Sequence, residues 1–238
     1  MAKQPESRDV SVWRYMDLAK FLTMISTRSL YFPRADLLGD DFEGSVSQIN
    51  ADLYLENYRA NPERYTTPPR KEIYRNLRNY TYVNCWHMNE CESAAMWSLY
   101  GRQKRAIAVK TTYAALADAL PEDAVLGMIT YLDYRHNLIP ANYIHMPYMH
   151  KRESFAHEME VRGVLSNIPQ EGSDRTPLRA PVRSSGISIP INLEALVHVV
   201  HISPKAPDWY EALLRDLLQR YGTPLELVRS HLDDDPIF

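Results

Sequence analysis

Residues 150–165 change character half-way along: a polar, helix-compatible run gives way to a β-branched one, with Glu158, Glu160 and Arg162 at alternate positions across the junction. If the strand starts at Glu158, those three side chains project from one face, because strand side chains alternate with period two. On a continuing helix Glu158 and Glu160 would diverge by roughly 200° and could not share a site. Two carboxylates on one strand face can divide acid/base work from charge stabilisation. This junction is therefore the candidate catalytic segment.

The rest of the chain mixes short strands with helices. Residues 10–16 alternate apolar and polar side chains and read as a strand carrying Trp13, Arg14 and Tyr15. Asp17 is the expected N-cap of a helix over 18–27, where Leu18, Phe21, Leu22 and Ile25 form an apolar stripe. Further strands are expected at 30–32, 82–87, 106–110, 125–134, 187–191, 197–202 and 224–229, and helices at 93–100, 111–119 and 209–221. Residues 47–60 and 69–80 read as two helices around a Pro- and Thr-containing turn, an inserted hairpin within 47–82. Residues 170–185 are expected to be exposed loop, and 233–238 a solvated acidic tail. There is no regular βαβ rhythm. The expectation is one α+β domain over residues 1–238, with small mixed or antiparallel sheets, flanking helices and the inserted hairpin.

Composition narrows function mainly by exclusion. Hydrophobic residues make up 45% of the 238, enough for a sizeable core, and a net charge of −3 exerts no global pull on nucleic acid or membrane. The two cysteines, Cys85 and Cys91, are too few for a disulfide framework and fit no common zinc spacing. Both are expected as small buried residues in a reducing cytoplasm. The first residues lack the apolar core of a signal peptide, and no run approaches a bilayer span, so a cytoplasmic protein without a membrane partner is expected. The eight glycines are dispersed and form neither G-x-G-x-x-G, nor a P-loop, nor G-x-S-x-G. Tyrosine, with 16 residues, is abundant instead.

Three stretches in one order carry a family resemblance. The first joins Trp13, Arg14 and Tyr15 to Leu30, Tyr31 and Phe32 and then to the acidic loop of Asp40, Asp41, Phe42 and Glu43. The second runs over residues 84–101, with Met96, Trp97 and Tyr100 as its most specific part, and then Ile107 to Val109. The third is the segment 151–162 with its Glu-x-Glu-x-Arg. On these residues the chain resembles the bacterial domain-of-unknown-function family 2971, although its acidic loop lacks that family's usual proline. More distantly, the order looks like that of ADP-ribosyltransferases: an aromatic-Arg strand, a helix, an aromatic strand, a middle strand with its helix, and a late Glu-x-Glu opening a strand. This is analogy at the level of the fold.

That second resemblance implies NAD as co-substrate and an enzyme of the toxin or phage-defence effector type. Glu160 would hold a ribose hydroxyl and steady the positive charge as nicotinamide leaves, as a carboxylate supports an oxocarbenium-like transition state in glycoside hydrolysis. Glu158 would orient or deprotonate the acceptor, a nucleic acid or a protein. Arg14 would grip phosphate or ribose. Tyr15, His87, Trp97 and Tyr100 complete the expected cofactor-binding set. Each has a structural alternative. Glu160 and Arg162 form an ion pair at a sheet edge; Arg14 is an exposed arginine between core aromatics; His87 is a hydrogen-bonded structural histidine; Tyr15, Trp97 and Tyr100 are core.

A different reading rests on the hairpin. Arg70, Lys71, Arg75 and Arg78 interleave with Tyr58, Tyr65, Tyr74, Tyr80 and Tyr82, the mixture of charges and rings that tracks single-stranded nucleic acid. It predicts a non-catalytic nucleic-acid-binding module of a defence or mobile-element system, alone or with an antitoxin or defence partner. The alternative is a solvated helix face. No metal is expected, because Asp40, Asp41 and Glu43 have no histidine at ligand spacing.

Overall fold

The computed structural model describes residues 2–62, 71–100, 105–140, 143–167 and 184–237, and of residues 71–73 the backbone alone. In chain order, β1 (Ser11–Asp17) runs into α1 (Leu18–Thr27), β2 (Ser29–Pro33) and the hairpin helices α2 (Gln48–Ala60) and α3 (Lys71–Leu77). Then come β3 (Thr81–Met88), α4 (Ala94–Tyr100), β4 (Ala106–Thr112) and α5 (Tyr113–Ala119). Next follow β5 (Val125–Met128), β6 (Thr130–Leu132), β7 (His150–Arg152) and β8 (Glu160–Ser166). The chain closes with β9 (Gly186–Pro190), α6 (Leu193–Leu196), β10 (Val199–Ile202), α7 (Asp208–Arg220) and β11 (Leu227–Arg229). Seven strands form one sheet in the order β11-β10-β4-β1-β3-β8-β5, and β2–β9 and β6–β7 form two smaller sheets. This is an α+β fold. Among the described residues no helix is long and apolar enough to cross a membrane.

Local chemistry starts several elements where periodicity places them. The Asp17 carboxylate accepts from the Lys20 N–H and opens α1; Ser47 and Thr112 do the same for α2 and α5. The two faces of the sheet differ. On one, Val12 and Met16 join Trp86, Ile107, Val109 and Val161 against Phe21 and Ile25 of α1, Leu116 of α5 and Leu214 of α7. This is the main core, and each such fully buried side chain contributes about 1.5–3 kcal/mol. On the other, Trp13 and Tyr15 pack with Ala106 and Ala108 under Met96 and Trp97 of α4. A third cluster of Ala35, Val83, Tyr148, Met149 and Val164 continues that face towards β8.

Three expectations need correction. The strand of 125–134 is two strands. It leaves β8 at Ile129, and Thr130–Leu132 then pairs in parallel with His150–Arg152. The polar run after residue 150 is therefore not helical at its start: His150 and Lys151 are buried strand residues, followed by a 3-10 helix over Glu153–Glu158. Finally, Met159 adopts a left-handed conformation (φ 40°, ψ 51°), which interrupts the alternation, so β8 begins at Glu160 and Glu158 stands outside it. Smaller differences are a one-turn helix at Leu193–Leu196, and a 3-10 turn at His231–Asp233 where both Asp233 oxygens accept from the Lys205 N–H. The loop expected over 170–185 lies almost wholly outside the described residues.

One irregularity of the sheet matters for function. β1 and β3 pair only at Val12↔Met88 and Trp13↔His87 and then diverge. β3 continues along β8 from Thr81 to His87, whereas β1 continues along β4 as far as Asp17. A cleft opens between them.

Candidate functional site

Glu160 and Arg162 lie on one face of β8, two residues apart, and that face is buried. The Arg162 guanidinium, 1% exposed, is saturated. Its Nε and Nη2 donate to the two Glu160 oxygens (2.6 and 3.0 Å), Nη1 and Nη2 to the two Glu43 oxygens (2.6 and 2.9 Å), and Nη1 also to the Tyr148 carbonyl (2.8 Å). Lys151 brings a second cation, 2.6 Å from a Glu158 oxygen, 3.4 Å from Glu160 and 3.6 Å from Glu43. Both expected acids thus meet at Lys151, Glu160 from the strand and Glu158 from the end of the 3-10 helix. The pair is not at a sheet edge, since β5 covers β8 on its outer side.

Their electrostatics diverge. Burial pushes the Glu158 carboxyl up, and its hydrogen bond to Lys151 only partly offsets this. Burial acts on Glu160 in the same direction, but the adjacent charge and hydrogen bonds of Arg162, helped by Lys151, hold that carboxyl below the ordinary carboxylate range. Of the two, Glu158 is the more readily protonated and Glu160 the more firmly charged.

The cleft between β1 and β3 forms a cavity of about 610 Å³, within the size range of small-ligand sites. Arg14, Tyr15, Tyr31, Cys85 and Tyr100 are on its walls, with Lys20 and Thr23 of α1 and residues 37–39. Arg14 is half-buried. Among the described residues its guanidinium makes one hydrogen bond, from Nη2 to the Tyr31 carbonyl at 3.2 Å, and no ion pair; it also lies 5.8 Å from the Trp86 ring centre. Burial without a carboxylate lowers its pKa to about 10, which leaves it charged at neutral pH. Arg14 is accordingly not the exposed arginine of the structural alternative.

Arg14 and Glu160 belong to opposite faces of the sheet, as the register Trp13↔His87 and His87↔Glu160 requires. What connects them is Cys85. Its side chain reaches the cavity where the strands part and hydrogen-bonds Glu160, and burial, reinforced by the Glu160 charge, pushes the thiol up. The Tyr100 hydroxyl on the same wall is also raised, first by burial and then by the charges of Glu158 and Glu160. The two acids do not themselves line the cavity; they stand behind Cys85 and Tyr100.

The other expected cofactor residues sit further back. His87 is buried; its Nδ1 lies 2.6 Å from the Glu158 carbonyl, and among the described residues its Nε2 has no partner. Burial lowers its pKa. Trp97 is buried, packs edge-on against Tyr15 at 4.9 Å, and donates from Nε1 to Glu92 at 2.7 Å. Tyr15 stacks at 6.5 Å on Tyr100. Of the expected set, therefore, Arg14, Tyr15 and Tyr100 share the cavity, and His87 and Trp97 support its wall.

In the hairpin, Arg75 is exposed, whereas Arg78 turns inward onto a second cavity, donating to the Asp41 carbonyl at 3.3 Å. Arg70 and the Lys71 side chain lie outside the described residues. The acidic loop is not simply solvated. Glu43 is 3% exposed and clamps Arg162, and Asp40 accepts from Arg152 at 2.8 Å. Among the described residues, no group of three or more His, Cys, Asp or Glu side chains is placed to hold a metal ion.

Sequence reasoning missed Lys151, Cys85 and Tyr31. Lys151 had a readable signal, as a cation seven residues before Glu158 in a segment already singled out; the wall positions of Cys85 and Tyr31 depend on where two strands separate. No family model matches the chain and no curated protein does, so the likeness of its three stretches rests on the residues quoted for it.

Proposed function

We propose that the protein binds NAD in the cleft between β1 and β3 and breaks its nicotinamide–ribose bond, transferring ADP-ribose to an acceptor. The observation that carries this reading is Arg14, a half-buried cation with, among the described residues, no acid beside it on the wall of a ligand-sized cavity. Taking a charge out of water without a counter-charge is costly, and a bound anion relieves that cost. A pyrophosphate suits a guanidinium fork, and the exposed rings of Tyr31 and Tyr100 offer flat surfaces for a base or for nicotinamide.

The chemistry would follow from the acids behind the wall. As the C1′–N bond breaks, its electron pair leaves with nicotinamide and positive charge develops on the ribose. The fixed negative charge of Glu160 favours that development. The attacking hydroxyl gives up its proton at the cavity wall, where the Tyr100 hydroxyl stands in front of Glu158 and would relay it, so NAD and acceptor become ADP-ribosylated acceptor, nicotinamide and a proton.

The test is direct. NAD should bind saturably by calorimetry, and Arg14→Met should weaken that binding by about tenfold or more, the cost of one charge-assisted contact. Nicotinamide release, followed chromatographically with cell lysate as the source of acceptor, should disappear in Glu158→Gln. NAD that fails to bind, or binds equally well to Arg14→Met, would overturn the proposal.

A further inference from the structure

A second cavity, of about 500 Å³, lies between α2, α3 and the segment from Asp41 to Val46. Its walls are largely apolar, formed by Val46, Ala51, Leu55 and the rings of Tyr54 and Tyr74. One end is cationic: Arg75 and Arg78 both face it, and among the described residues neither forms an ion pair. Among the described residues, the buried Arg78 Nε has no hydrogen-bond partner, and neither has the buried Ser45 hydroxyl on the same wall. Asn50, the other amide at the cavity, is already used. It donates to the Ile139 carbonyl at 2.8 Å and accepts from the Ile139 N–H at 2.9 Å.

We propose that this cavity is a small-molecule site for a ligand with an aromatic or apolar body and one anionic head, a carboxylate or a phosphate monoester. Three observations converge on that chemistry. The volume falls within the range of small-ligand pockets, and mostly apolar walls with a few polar groups are their usual make-up. Among the described residues the two arginines form no ion pair and outnumber the one acid on the wall, Asp41, which favours an anion over a neutral acceptor. A buried Nε–H and a buried hydroxyl on the wall have no partner among the described residues, so the polar groups at this end are under-satisfied by the protein itself. The pocket also explains why Arg78 turns away from the outer hairpin surface. It shares no lining residue with the Arg14 cleft, so the two sites are tested separately.

The experiment titrates the full chain with phenyl phosphate, phenylacetate and inorganic phosphate by calorimetry. Phenyl phosphate or phenylacetate should bind saturably, and whichever binds more tightly names the head group; inorganic phosphate, lacking the apolar body, should bind at least tenfold more weakly. Arg78→Met should weaken the better probe by about tenfold or more, while Arg14→Met leaves it unchanged. Should Arg78→Met fail to fold, Ala51→Phe fills the apolar end and touches neither arginine; it should abolish binding with melting unchanged or raised. The absence of saturable binding by both aromatic probes, or affinity unaltered in both variants, would overturn the proposal. So would a single-stranded oligonucleotide that binds the wild type more tightly than either probe and loses that affinity in Arg75→Met, because the arginines would then track a phosphodiester backbone.

Discussion

Arg162 and Arg14 stand on the same sheet with only β3 between their strands, and the protein treats them in opposite ways. Arg162 is enclosed by two carboxylates and a carbonyl, with no donor left to offer a ligand. Arg14 faces a cavity, and among the described residues its guanidinium has a single carbonyl partner, at 3.2 Å. The same residue type is thus an anchor in one place and, in the function proposed above, a receptor in the other. What decides between them is whether the fold supplies the counter-charge itself.

The contrast can be broken most severely at Arg162. Replacing it with Met removes five hydrogen bonds and leaves Glu43 and Glu160 buried with Lys151, 3.6 and 3.4 Å away, as their remaining cation; about 3 kcal/mol of stability should be lost, read from urea unfolding. A loss under about 1 kcal/mol would mean that the cluster is not an anchor. Acid should act on the same cluster through Glu160. Its carboxyl is lowered on folding, so its contribution is fully present above the ordinary value of 4.5 and fades as pH falls towards about 2. Unfolding followed against pH should show that acid limb in the wild type and a flatter one in Glu160→Gln.

Gly44 sharpens the comparison from the loop side. It sits at φ +69°, and a Cβ there would lie 2.3 Å from the Tyr148 ring, next to the carbonyl that Arg162 uses. Gly44→Ala should cost about 2 kcal/mol. Arg14→Met should have the smallest effect on stability, within about 1 kcal/mol in either direction, because it removes a desolvated charge along with one long hydrogen bond. Thermal unfolding checks this, and the same variant is the one expected to lose NAD.

Periodicity and caps made much of the architecture legible. The strand around Trp13, the Asp17-capped helix, the hairpin helices and the helix near Trp209 all depend on neighbours in sequence. The segment around Glu158 was legible in its residues but not in its geometry. One left-handed residue, Met159, turned a strand expectation into a 3-10 end, and a non-glycine residue gives no warning of that conformation. The cleft was not legible at all. It exists because β1 and β3 choose different partners after Trp13 and His87, and strand pairing is a property of the assembled sheet.

The segment of residues 37–46 has a consequence for anyone altering this protein. Leu37, Leu38 and Gly39 border one cavity, Asp41, Gly44, Ser45 and Val46 the other, and Asp40 and Glu43 are tied to arginines between them. Ten consecutive residues therefore answer to three masters, and a graft or insertion there cannot retune one pocket in isolation. Selectivity is better engineered from the far walls, α1 for the first cavity and α2 for the second.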